Sequence, residues 1–142
     1  MIYFNNIPSV FHSTQPLIEW LRRLAAFYKV EIKALHYNFV DESFLLKMNK
    51  DYLNHDTHTD IITFSYAPVP TVEAEIYISN DRMRENAILF NEPIENELLR
   101  LLSHGFLHCI GYNDSKNEEK SLMSVQENKC IKMFHVKQDN DV

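Results

Sequence analysis

Apolar and polar positions along this chain recur with two periods, and the switches between them mark out its elements. Met1 to Ile7 alternates weakly before Pro8 and reads as an edge strand. Ser13-Thr14-Gln15-Pro16 is a helix-start signal, followed by Leu17, Ile18, Leu21, Leu24, Ala25 and Tyr28 at helical spacing, with Trp20 and Phe27 widening the apolar face. Glu31 to Val40 returns to a period of two: Ile32, Ala34, His36 and Asn38 on one face, Lys33, Leu35, Tyr37 and Phe39 on the other. Asp41-Glu42-Ser43 caps a second helix through Phe44, Leu45, Met48 and Tyr52. After a polar loop from Leu53 to Thr59, Asp60 to Tyr66 and Glu73 to Ser79 read as neighbouring strands separated by Ala67-Pro68-Val69-Pro70.

Three helices close the chain. Asn80-Asp81 caps the first, which carries Met83, Ala87, Ile88 and Phe90; Asn91-Glu92-Pro93 separates it from a second, apolar-striped helix beginning near Glu95. Asn117 to Phe134 forms the last, through Leu122, Met123, Val125 and Ile131, with a frayed end from Gln138 to Val142. The order of strand, helix, strand, helix, two strands and three helices predicts an α+β fold: a small mixed β-sheet covered by helices. With no repeat or linker in its 142 residues, the chain is expected to form a single domain over 1–142.

The second of the closing helices runs into His104-Gly105-Phe106-Leu107-His108-Cys109-Ile110-Gly111-Tyr112-Asn113-Asp114. Residues four apart share a helix face, so His104 and His108 can aim at one point. Gly111 ends the helix, and the chain can turn back to bring Asp114 towards both rings. Two imidazoles and a carboxylate suit one zinc ion and leave a fourth position open for water, as in a catalytic site. The whole chain has only two glycines, Gly105 and Gly111, against roughly ten from average usage. Both lie in this stretch. Gly105 inside a helix costs about 1 kcal/mol relative to alanine, which points to close packing or ligand access there. The competing arrangement makes Asp114 a solvated turn residue and completes the site with His55 or His58 from the polar loop, where Asp56 also lies. Cys109, next to His108 but about 100° around the helix, is read as packing. A lone His36 in its strand is read as structural.

The stretch His104-Gly105-x-Leu107-His108-x-x-Gly111-Tyr112 resembles the signature of the YbeY family, metal-dependent endoribonucleases that mature ribosomal RNA. Met48-Asn49-x-x-Tyr52, Thr59-Asp60-Ile61-Ile62-Thr63-Phe64-Ser65, and Glu75-Ile76-Tyr77-Ile78-Ser79 running into Arg84-Glu85-Asn86-Ala87 resemble the family in the same order. There are two departures. The family's third His is Asp114 here, which still can bind metal, and the Arg that usually follows the Tyr of the Asn-x-x-Tyr stretch is Leu53. The resemblance implies the same architecture, with a zincin-like metal helix beside the sheet. It also makes Asp60 the candidate for proton transfer and Arg84 the candidate RNA contact in place of the missing Arg.

Composition bounds this reading. A net charge of −6 runs against nonspecific nucleic-acid binding, so a local patch or a ribosome-associated partner must supply the attraction. Arg22-Arg23 with Lys29 and Lys33 is one candidate patch; Arg82, Arg84 and Arg100 are another. No apolar run reaches the length of a membrane span, no secretory signal is visible, and two cysteines are too few for a disulfide framework, so a cytoplasmic location is expected. A metallopeptidase of the His-Glu-x-x-His type carries its general base directly after the first His, where this chain has Gly105. What the resemblance implies is single-strand-specific, zinc-dependent endoribonuclease action in ribosomal RNA maturation and ribosome biogenesis. Its partner would be RNA (ribosomal RNA or the small ribosomal subunit), with no DNA and no membrane. The alternatives are a zinc peptidase with an atypical base and a ribosome-associated binding protein whose metal is structural.

Overall fold

A computed structural model describes residues 1–9, 11, 13–53 and 59–140. The elements follow the expected order: β1 (Ile2–Asn5), α1 (Gln15–Tyr28), β2 (Glu31–Val40), α2 (Glu42–Leu53), β3 (Ile61–Ser65), β4 (Thr71–Ser79), α3 (Asn80–Leu89), α4 (Ile94–Cys109) and α5 (Asn117–Asn140). The four strands form one mixed sheet in the order β1-β2-β4-β3. β1 and β2 are parallel, β2 and β4 are parallel, and β3 runs antiparallel to β4. β1 is an edge strand as expected, and β3 and β4 are neighbours as expected.

Alternation along β2 and β4 decides which helix covers which face. Leu35, Tyr37, Phe39, Val72, Ala74, Ile76 and Ile78 point one way and are buried against α1, α4 and α5 in the main core. On the opposite face Ile62 packs with Leu45 and Met48 of α2, flanked by Val40, Phe64 and Tyr77. Trp20 of α1 is fully buried and donates from Nε1 to the Cys130 carbonyl of α5 at 2.7 Å. The Tyr37 hydroxyl donates to the Leu102 carbonyl at 2.8 Å, fastening the sheet to α4.

Helix α4 is the innermost helix around which the site is built. It buries Leu98, Leu99, Leu101, Leu102, Phe106 and Leu107, and each such side chain contributes roughly 1.5–3 kcal/mol on leaving water. Gly105 lets it lie close on the sheet: a Cβ there would stand 2.7 Å from Ile76 Cδ1 and 3.1 Å from Ile76 Cγ2. Close packing, one of the two reasons given for this glycine, is thus observed. At the other end of the motif Gly111 has φ +107, a conformation that glycine adopts readily and that turns the chain after α4.

Several boundaries differ from the sequence pattern; β1 and β3 are shorter than Met1 to Ile7 and Asp60 to Tyr66, and α3 ends at Leu89, before Phe90. The cap of α3 is Ser79, whose Oγ accepts from the Arg82 N–H at 3.1 Å, one residue before the Asn80-Asp81 pair. β4 begins at Thr71, before Glu73, because it pairs with β2 from Glu31 onward. α5 continues past Phe134, where the apolar spacing stops, to Asn140. Among the described residues, no helix is long and apolar enough to cross a membrane.

Candidate metal centre

His104 and His108 project from the last two turns of α4, and their Nε2 atoms lie 3.0 Å apart. The chain reversal after Gly111 is held by Tyr112 N–H donating to the Leu107 carbonyl at 3.0 Å. It places Asp114 Oδ2 3.1 Å from His104 Nε2 and 3.4 Å from His108 Nε2. All three residues are partly exposed, Asp114 the most at 40%. The structure therefore brings together the three residues singled out as ligands.

The outer ring nitrogens show what these three atoms are suited to. His108 Nδ1 lies 2.8 Å from the Tyr112 carbonyl, which can only accept, so the ring carries its proton on Nδ1. His104 Nδ1 lies 2.6 Å from Glu127 Oε2, a carboxylate that likewise accepts. In the neutral rings both Nε2 atoms are then bare lone pairs, converging with a carboxylate oxygen. Three acceptors at this separation repel one another unless a cation lies between them. Ligand atoms about 2.0–2.1 Å from a tetrahedral zinc stand roughly 3.3 Å apart, and the observed 3.0, 3.1 and 3.4 Å match that spacing. The donor set fits a metal ion.

Beside it lies a polar network that the sequence reading did not anticipate. Arg100, one turn before His104 on α4, donates from Nε and Nη2 to the two oxygens of the buried Glu97 at 2.8 and 2.6 Å. The same guanidinium lies 3.5 Å from Asp60 Oδ2 and 3.9 Å from Glu127 Oε1. Asn86 Nδ2 donates to Asp60 Oδ2 at 2.9 Å and to Glu97 Oε2 at 3.2 Å. Burial by itself lowers the Arg100 pKa, but the hydrogen bonds and charge of Glu97, with Glu127 and Asp60 behind it, outweigh burial and hold it above the usual guanidinium range.

Asp60 therefore faces Arg100 and Asn86, at the head of β3. Arg84 is exposed on α3 and lines an open cleft of about 750 Å³ together with Asn91, Glu92 and Ile94. The supposed patch of Arg82, Arg84 and Arg100 does not form one free cationic surface. Arg100 is engaged with three carboxylates, and Arg82 lies 4.0 Å from Glu42. In the other proposed patch, Lys33 pairs with Glu73 at 3.3 Å. Cys109 is buried, which pushes its thiol up to about 11, in keeping with a packing role. His36 stacks on Tyr3 with ring centroids 4.5 Å apart, also structural. His55, Asp56 and His58 lie outside the described residues.

A mixed sheet, a deeply buried helix and a convergent His-His-Asp group at its C-terminal end define the class: an α+β protein with a donor group on its core helix that can hold a metal ion. Comparison with known proteins narrows this. The family described as Endoribonuclease YbeY matches residues 6–135. A relative from Flavobacterium psychrophilum named Endoribonuclease YbeY is 39% identical over 140 residues, spanning 98% of this chain and 100% of the relative. Relatives of the same name from Cytophaga hutchinsonii (41% identical, 80% of each chain) and Christiangramia forsetii (37% identical, 96% of this chain and 95% of the relative) are similar. A solution structure of a Thermotoga maritima protein shares the fold, with a TM-score of 0.70 at 24% identity over 99% of this chain and 93% of that one. The chain belongs to the YbeY endoribonuclease family.

Proposed function

We propose that this chain is a zinc-dependent endoribonuclease that cleaves single-stranded RNA, with ribosomal RNA maturation in the cytoplasm as its setting. The observation that carries the reading is the convergence of His104 Nε2, His108 Nε2 and Asp114 Oδ2, with both imidazole N–H groups already engaged elsewhere. One ion is proposed to sit there; an imidazole-rich set with one carboxylate favours zinc. When bound, zinc supplies a Lewis acid able to polarise a phosphoryl oxygen and to make water a better nucleophile near neutral pH. The chain's own part is to hold the donors. Tyr112 fixes one ring, Glu127 fixes the other, and Gly105 keeps α4 tight on the sheet. The family match over residues 6–135 supports reading the chain as one domain.

Asp60 and Arg84 enter with different weights. The Asp60 carboxylate is taken up by Asn86 and Arg100, which supports a framework role more than proton transfer. Arg84, exposed beside its cleft, is available to meet a phosphate. Arg84→Ala should lower RNA cleavage several-fold while metal content, read by elemental analysis, stays at the wild-type level. Loss of metal in that variant would make Arg84 structural.

The test of the whole reading is cleavage of single-stranded RNA and of unfolded casein by the same preparation, with and without chelator. RNA should be cut, chelation should abolish cutting, zinc should restore it, and casein should stay intact. Chelator-sensitive proteolysis without RNA cleavage would overturn the proposal in favour of a peptidase.

A further inference from the structure

We infer that Glu127 is a positioning residue for His104: its buried carboxylate on α5 holds the ring with Nδ1 protonated, and so keeps Nε2 free for metal. The inference rests on the metal reading given above and adds a residue to it. Glu127 is nearly inaccessible, with 7% of its side chain exposed, and its Oε2 lies 2.6 Å from His104 Nδ1. It stands on the apolar stripe of α5, between the buried Met123 and Cys130, where an ionisable group is costly to desolvate. Among the described residues the one guanidinium near it, Arg100, is 3.9 Å away and already bonded through Nε and Nη2 to Glu97. The imidazole N–H is therefore its shortest contact. A packing role does not account for a carboxylate at this position; a ring that must be held in one tautomer does.

The consequence of losing that contact follows from the geometry at the other side of the ring. A neutral imidazole can carry its proton on either nitrogen. If His104 carried it on Nε2, that N–H would point at Asp114 Oδ2, 3.1 Å away, or at the bare His108 Nε2, 3.0 Å away. That proton would then tie His104 to one of the other two ligand atoms, and a metal ion would have to break the bond to enter. Glu127 biases the ring against this self-closed form. His108 needs no such carboxylate, because the Tyr112 carbonyl enforces the same tautomer through the backbone. Carboxylates or carbonyls behind metal-ligating imidazoles typically change metal affinity about 10–100-fold.

The experiment uses the full chain with Glu127→Gln and Glu127→Ala, stripped with chelator. Nitrogen-15 NMR of the histidine rings in the metal-free proteins should show His104 protonated on Nδ1 in the wild type. The Nε2-protonated form should rise in Glu127→Ala, and Glu127→Gln, whose amide oxygen can still accept, should lie between. Zinc titrations against a competing chelator should show a dissociation constant raised about 10–100-fold in Glu127→Ala and less in Glu127→Gln. Thermal melts of the metal-free proteins report the structural cost separately. An unchanged tautomer and an unchanged zinc affinity in a folded Glu127→Gln or Glu127→Ala protein would overturn the inference and leave Glu127 a fold residue. A wild type that binds no zinc would instead overturn the metal reading, and with it the purpose assigned to Glu127.

Discussion

Replacing Asp114 with alanine should reduce zinc affinity by more than the roughly 10–100-fold that follows loss of a supporting hydrogen bond, because it removes a proposed ligand atom rather than the support of one. Two imidazoles would remain, and two protein ligands are fewer than the three that open zinc sites use. The fold should survive. Asp114 is 40% exposed, lies beyond the end of α4, and contributes nothing to either apolar core. Metal-free thermal melts of the variant and the wild type should therefore coincide, while zinc titrations separate them widely. Asp114→His should recover much of the affinity if the turn after Gly111 can seat the longer ring, since imidazole is an equally good zinc ligand. Undiminished affinity in Asp114→Ala would remove Asp114 from the site and return attention to His55 and His58.

Most of this fold was legible because its elements are amphipathic over their own length. The apolar spacing along α1, the alternation along β2 and the stripe on α4 each report a single element facing a single core, and these ranges agree with the structure. Of the boundaries that moved, the start of β4 depends on a partner elsewhere in the chain. Thr71 joins β4 because Glu31 pairs with it, and nothing in the local pattern around Thr71 records that. The same division runs through the site. His104 and His108 are four residues apart on one helix, so their convergence is local and visible. Glu127 meets His104 across 23 residues and two helices, and no spacing rule reaches that far. One signal was present: a glutamate at the apolar stripe position between Met123 and Cys130. A charge on a buried face asks for a partner. The inward turn of Arg100 is hidden for a related reason. Counted with Arg82 and Arg84, Arg100 looks like surface charge, yet it shares the α4 stripe with Glu97 and His104 and is turned inward with them.

That inward position makes Arg100→Leu the substitution expected to destabilise the fold most among those considered. It strips the guanidinium from Glu97 and Glu127, of which only 2% and 7% of the side chain is exposed, and from Asp60. Removing one partner of a buried ion pair costs about 3–5 kcal/mol, because the remaining charge stays buried without compensation. Arg100 is itself 29% exposed, so water can relieve part of this, and a loss near the lower figure is expected. Urea unfolding in the presence of chelator measures it without the added stability that bound metal confers on the native state. The sharper test is non-additivity. Glu97→Gln alone removes the charge and one of the two hydrogen bonds facing Arg100, but in the Arg100→Leu background it removes a stranded charge, and its amide oxygen can still accept from Asn86. The double variant should therefore be more stable than Arg100→Leu alone, even though each single substitution lowers stability. Residues in one buried network couple by about 0.5–3 kcal/mol. If the two losses simply add, Arg100 and Glu97 are not a coupled pair, and the network beside the metal centre does not support α4 in the way its distances imply.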